Sequence, residues 1–206
     1  MEIQCQCGQF KAEIHHFPHE TPGRLGCYCD DCQSYLIYLN RTDLLDKAGC
    51  TEVVPVYPVN LKIKEGASHL KCTRLSTHGI YRWSTTCCNS PIANTKRGIP
   101  WVGIFSHSFC HKDPNYLDKT LGPVKSRIMG RFAKGNVAPH TAEKINLRSI
   151  LTVLPFILKG RLFKKNKNSP FFEADGRTPI VKPYILTPRE REELHEIYNQ
   201  ATGYPL

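Results

Sequence analysis

Over roughly the first 110 residues, apolar and polar positions alternate in short runs, the two-residue period of strands with one buried face. Such runs fall at residues 2–5, 10–14, 35–39, 51–56, 61–64, 70–75, 80–83 and 101–105, with Gly8, Gly23, Gly66, Gly79 and Gly98 punctuating them. One short helix is expected over 42–47, with Thr42 as N-cap and Gly49 near its stop. After Asp113 the period lengthens. Val124, Ile128 and Phe132 at four-residue spacing predict a helix over 124–134, stopped by Gly135. A second helix is expected over 143–158, with Thr141 as N-cap and Pro155 forcing a kink or break. Its apolar stripe of Ile150, Leu151, Leu154, Ile157 and Leu158 is expected to pack on the strand-rich part rather than enter a membrane. A third helix over 188–200 opens with Thr187 as N-cap, Pro188 at its first position and Glu190, Glu192 and Glu193 in its early turns. The pattern therefore predicts a mainly β domain over 1–115 and a basic helical extension over 116–206 packed on it.

Composition sharpens this only a little. A chain of 206 residues with 40% hydrophobic and 22% charged residues suits a folded globular protein. The first ten residues lack a basic lead and an apolar run, so no secretory signal is expected. The longest apolar run, 150–158, is interrupted by Thr152 and Pro155 and falls well short of the roughly 20 residues a bilayer span needs. A cytoplasmic or nuclear home is expected. The net charge of +10 is concentrated: residues 121–167 carry eleven Lys and Arg against one acid, Glu143. The run 159–167 is a candidate contact for nucleic acid or an anionic membrane surface, set against a plain solvated connector.

Chemistry enters with the ten cysteines. Seven are clustered, as Cys5 and Cys7, as Cys27, Cys29 and Cys32, and as the adjacent Cys87 and Cys88, while Cys50, Cys72 and Cys110 stand alone as core or surface thiols. Thiols this close in sequence close poor disulfides, but they suit a soft divalent ion. Residues i and i+2 of a strand share a face, so Cys5 and Cys7 present both sulfurs to one side, with Gly8 permitting a turn after them. Cys27 and Cys29 repeat the pattern, with Cys32 returning across a turn at Asp30 and Asp31. Two zinc ions would need eight ligands, and seven clustered thiols leave one position for something else. His15, His16 and His19 are weaker candidates to supplement a site.

In order, Cys5-Gln6-Cys7-Gly8, Cys27-Tyr28-Cys29-Asp30-Asp31-Cys32 and Cys88-Asn89-Ser90-Pro91 resemble the three motifs of the glutathione-dependent formaldehyde-activating enzyme and centromere protein V family. The resemblance covers about residues 1–110. It implies small sheets around two zinc sites, of the β-tent type. One site is structural, with Cys5, Cys7 and Cys88 among its ligands. The other is held by Cys27, Cys29 and Cys32 and is associated with addition of formaldehyde to glutathione, a carbon–sulfur lyase class reaction. This chain departs from the family where Thr85 replaces the first cysteine of the late motif, Tyr28 a histidine and Asn89 a glycine. Cys87 is an additional thiol. If the chain is extended there, Cys87 and Cys88 point to opposite faces and serve different ions; if it turns, both serve the first.

Two functions are compatible with these residues. In the first, the open zinc at Cys27, Cys29 and Cys32 binds a small thiol such as glutathione as nucleophile, with Arg74, Arg82, Lys96 and Arg97 as candidates to hold its carboxylates. In the second, a non-catalytic, zinc-stabilised module binds a partner through its basic tail. Three protein ligands on one ion favour the first reading, and four on both favour the second.

Overall fold

The computed structural model describes residues 1–202, and among them the strands form two sheets. The smaller is antiparallel and joins β1 (Glu2–Gln4), β2 (Lys11–Ile14) and β5 (Leu61–Glu65) in that order. The larger has eight strands in the order β10 (Ser126–Ile128), β3 (Leu25–Cys27), β4 (Thr51–Val56), β9 (Val102–Phe105), β8 (Pro91–Thr95), β7 (Tyr81–Thr85), β6 (Leu70–Arg74) and β11 (Tyr184–Ile185). The architecture is mainly β with C-terminal helices, as the pattern predicts, though one sheet is wider than the small sheets expected.

Both edge strands of the large sheet come from the tail, and both pair in parallel, β10 on β3 and β11 on β6. An uncovered edge exposes a row of unpaired backbone groups, and the tail satisfies them on both sides. It also reaches the interior. Trp83 and Ile3 are fully buried at the centre of the main core, and Phe171 and Phe172, just beyond the basic connector, are buried against them. The Trp83 and Phe171 rings lie 4.8 Å apart.

The sequence pattern misread two segments. Residues 35–39, expected as a strand, belong to helix α1 (Asp30–Tyr38). Its residues from Cys32 to Leu36 are all buried, so no polar face shows the helical period. Residues 124–134, expected as a helix, are strand β10 followed by a short 3-10 turn over Gly130–Phe132, with Met129 in the left-handed region at φ 63°. The edge of β3 recruits this segment, which has equally good apolar spacing for either form. The short helix at 42–47 is a 3-10 turn over Thr42–Leu44. Helix α2 (Tyr116–Leu121) follows the β region.

Helix α3 (Leu147–Leu162) begins four residues later than expected, and its cap is Asn146 rather than Thr141. Asn146 Oδ1 accepts from the Ser149 N–H at 2.9 Å, and the Asn146 N–H donates to Ser149 Oγ at 3.0 Å. The helix runs through Pro155. Its ring costs one hydrogen bond to the Leu151 carbonyl, and both residues lie on the exposed side where solvent replaces it. The expected packing face is wrong as well. Ile150, Leu151, Leu154 and Leu158 are exposed, and the buried face is Ser149, Phe156 and Gly160. Shape decides this. Phe156 stacks on Tyr57 with ring centroids 4.1 Å apart, and Gly160 lies so close that an added Cβ would meet Tyr57 at 2.7 Å and Pro100 at 2.8 Å.

Helix α4 (Pro188–Thr202) starts as predicted, with Thr187 and Glu190 exchanging backbone-to-side-chain hydrogen bonds at 2.7 and 3.2 Å. Its Leu194 packs with Tyr35 and Leu36 of α1. No helix among the described residues is long and apolar enough to cross a membrane.

Candidate metal centres

The first thiol set is assembled by two turns. Cys5 follows β1, and the Gly8 N–H returns to the Cys5 carbonyl at 2.9 Å with Gly8 at φ 76°, which places Cys5 and Cys7 side by side. The second turn, residues 86–88, leaves β7 and re-enters β8, with Asn89 at φ 53° and the Thr85 N–H bonded to the Ser90 carbonyl at 3.0 Å. Because the chain turns there, Cys87 and Cys88 point to the same place rather than to opposite faces. That settles the position of Cys87. All four sulfurs of Cys5, Cys7, Cys87 and Cys88 lie within 4.8 Å of one another.

Their spacing fits an ion. The Sγ atoms are 3.5 Å apart for Cys5 and Cys7, 3.7 Å for Cys5 and Cys87, 3.2 Å for Cys7 and Cys87, and 3.8 Å for Cys87 and Cys88. Tetrahedral zinc with bonds of about 2.3 Å requires sulfurs about 3.8 Å apart, whereas a disulfide brings them to about 2.05 Å. All ten cysteines are free thiols. Backbone and hydroxyl groups supply the outer support. The Phe10 N–H donates to Cys5 Sγ at 3.3 Å, and the hydroxyls of Ser90 and Thr85 lie 3.2 and 3.5 Å from Cys88 Sγ. Thr85, the departure from the family motif, thus faces the set as a hydroxyl partner, and Cys87 supplies the sulfur instead.

Electrostatics point the same way. Burial raises the Cys88 thiol, but hydrogen bonds with Ser90 and Thr85 outweigh it and bring it down to about 5. Burial pushes Cys87 up to about 12. Thiols this close cannot all ionise without a cation among them, and here Cys88 is eased towards the thiolate while Cys7 and Cys87 resist it.

The second set sits where β3 meets α1. Cys27 ends β3, Cys29 is the residue before the helix, and Cys32 lies on its first turn. The N–H groups of Cys32 and Gln33 bond the Cys29 carbonyl at 3.0 and 3.1 Å, so the turn expected at Asp30 and Asp31 is helical. The three sulfurs lie within 4.8 Å of one another, and no fourth His, Cys, Asp or Glu ligand atom joins them among the described residues. Cys27 and Cys29 are partly exposed, and Cys32 is buried. Hydrogen bonds from Cys27 and Cys29, with help from Arg82, hold the Cys32 thiol well below its ordinary range. Cys27 is raised, first by its hydrogen bond with Cys29.

Arg82, one of four basic residues expected to hold a substrate's carboxylates, instead lies against the sulfurs themselves. It is 2% exposed, its Nη1 is 3.9 Å from Cys32 Sγ, its Nη2 is 4.0 Å from Asp31, and it lies over the Tyr35 ring at 5.2 Å. Arg191 of α4 pairs with both Asp30 and Asp31, so the tail braces the same corner. The tail also borders the set: Ile128 of β10 is in register with Cys27, and its carbonyl accepts from the Tyr28 N–H at 3.1 Å.

The remaining candidates lie elsewhere. Arg74 donates to the carbonyls of Gly79 and Thr77, and Arg97 to that of Arg177. His15, His16 and His19 join neither thiol set, and neither do Cys50, Cys72 and Cys110.

Comparison with known proteins adds a family and a distant structural likeness. Residues 1–182 match a family of unknown function, DUF6151. No curated protein matches the chain. Among solved structures it is similar to the crystal structure of a Rhodobacter sphaeroides protein, a structural-genomics target. The identity is 18% and the TM-score 0.42, over 60% of this chain and 97% of that one.

Proposed function

The chain belongs to the DUF6151 family of unknown function, and we propose that it is a two-zinc protein with carbon–sulfur chemistry at one of its ions. The Cys5, Cys7, Cys87 and Cys88 set is the structural site, closed by four thiolates. The Cys27, Cys29 and Cys32 set is the working site, and the observation that carries the reading is its count of three, with no fourth protein donor. Structural zinc is four-coordinate, and a three-ligand site keeps a position for water or substrate. Zinc bound there would act as a Lewis acid and keep a coordinated thiol ionised at neutral pH.

The residues of the chain supply the rest. Cys32, buried and pulled towards the thiolate, anchors the trio, while the partly exposed Cys27 and Cys29 leave an approach from solvent. Arg82 is a fixed positive charge against the sulfur cluster, and it offsets the negative charge that a further thiolate brings. A small thiol such as glutathione is the proposed substrate, supported by the resemblance of the three motifs to the formaldehyde-activating family. Its thiolate sulfur forms a bond to an aldehyde carbon, the carbonyl π pair moves to oxygen, and the oxygen takes a proton to give the hydroxymethyl thioether. The reverse is the carbon–sulfur lyase direction.

Cobalt substitution tests this, because the visible spectrum of the metal reports each added sulfur ligand. Glutathione titrated into the dicobalt protein should change the spectrum saturably, and Cys32→Ser should abolish the change while leaving the four-thiolate signal. A spectrum indifferent to glutathione rejects the thiol reading and leaves the zinc-stabilised module, which the closed first site already favours for half of the metal.

A further inference from the structure

Helix α3 carries a stripe of large apolar side chains that none of the described residues covers. Leu147, Leu151, Leu154, Leu158 and Leu162 recur at intervals of four, three, four and four, which places them on one face. With Ile150 they are between 39% and 76% exposed. The opposite face is fixed by Phe156 and Gly160 against Tyr57 and Pro100, so the stripe cannot roll inward without undoing that contact. The stripe is continuous through Ile150 and Leu154 with an apolar groove of about 340 Å³ between the helix and the sheet edge, floored by Leu25, Trp101 and Ile128.

The charges around it are of one sign. From Lys144 to Phe172 the chain holds seven Lys and Arg and no acid. At 100° per residue, Arg148 and Lys159 flank the leucines on one side and Arg161 on the other. Lys144, Arg148, Arg161, Lys164 and Lys167 make no salt bridge among the described residues, while Lys159 and Lys165 are drawn to Glu20. An apolar ridge bordered by cations on both sides matches a surface that is apolar below and anionic above.

We propose that α3 is an interfacial helix that docks the protein on an anionic phospholipid membrane, with the leucine stripe among the acyl chains and the flanking cations at the headgroups. The charge pattern argues against the other occupants. A second copy paired antiparallel through this stripe would set Arg148 of each copy against Lys159 of the other. A nucleic acid would use the cations and leave the leucines in water.

The test is co-sedimentation of the full, metal-loaded chain with vesicles of phosphatidylcholine alone and of phosphatidylcholine containing phosphatidylglycerol. Binding is expected to the anionic vesicles, and the paired change Leu151→Ser with Leu158→Ser should weaken it at least about tenfold, since apolar burial contributes most of interfacial affinity. Metal content and melting temperature should not change, because both side chains are already exposed. The triple change Lys144→Gln, Arg148→Gln and Arg161→Gln should remove the preference for anionic vesicles. No sedimentation with anionic vesicles overturns the proposal, and so does binding that the leucine changes leave intact, which is the signature of a polyanion site. Light scattering that shows a dimer dissociated by the same leucine changes assigns the stripe to a second copy instead.

Discussion

Replacing Arg82 by Met removes the one buried cation that touches the second thiol set and keeps most of the apolar stem. Three thiolates and one Zn²⁺ sum to a single negative charge. The guanidinium is 3.9 Å from Cys32 Sγ, and a Zn–S bond of about 2.3 Å puts it roughly 6 Å from the ion. At an effective dielectric of about 20, unit charges at about that separation interact by about 3 kcal/mol. Counted from three neutral thiols in the metal-free site, that is a ceiling of about a hundredfold in metal affinity, lowered to the extent that Cys32 is already ionised there. Folding stability is the wrong readout, because burying a guanidinium is itself costly and its removal offsets part of the loss. Asp31 is not stranded by the change, since Arg191 also pairs with it. The assay is a stepwise chelator titration that resolves the two metal sites, with the four-thiolate site as internal reference. Arg82→Met should weaken one site by up to about a hundredfold and leave the other alone, and Arg82→Lys should recover part of the loss because it keeps the charge. Two unchanged affinities, or equal weakening at both sites, would refute the electrostatic role assigned to Arg82.

Elemental analysis of protein prepared without chelator should give a zinc ratio near two, and Cys87→Ser should lower it by one with a large fall in melting temperature, since a structural ion is linked to folding; an unchanged ratio would remove Cys87 from the ligands. Gly160→Ala should cost about 1–3 kcal/mol, because its Cβ would meet Tyr57 at 2.7 Å and Pro100 at 2.8 Å, and chemical denaturation will show it. Burial opposes ionisation of Glu20, but hydrogen bonds from Asn60 and Lys165 outweigh it and hold the carboxyl below its ordinary range. A depressed carboxyl stabilises the fold above its unfolded pKa, about 4.5, and that contribution is lost as pH falls through the folded value. The wild-type protein should therefore melt above Glu20→Gln at neutral pH, and the difference should shrink below about pH 4.5; a constant difference would contradict the linkage.

What the sequence determined by itself was the grouping of the thiols and the strand-rich class. Cysteine spacing is local, so Cys5 with Cys7 and Cys27 with Cys29 and Cys32 are legible without a fold, and the two-residue period of 51–56 and 70–75 lands on β4 and β6. Thr187 and Glu190 are equally local, and α4 begins where they place it. Other features depended on contacts between residues far apart in sequence. Whether Cys87 joined the first thiol set or the second turned on the geometry of 86–88, and that turn is fixed by Thr85 pairing with Ser90 and by the neighbouring strands. Arg82 was one of four basic candidates in the sequence, and it was set against Cys32 only when β7 was laid beneath α1, which no spacing along the chain encodes. Residues 35–39 and 126–128 carried apolar spacing that suits helix or strand alike, and the open edge of β3 and the enclosure of α1 made the choice. In α3 the helix is apolar on more than one side, so hydrophobicity could not select its buried face. The fit of Phe156 and Gly160 against Tyr57 and Pro100 did, because close packing distinguishes shapes where transfer from water counts only area.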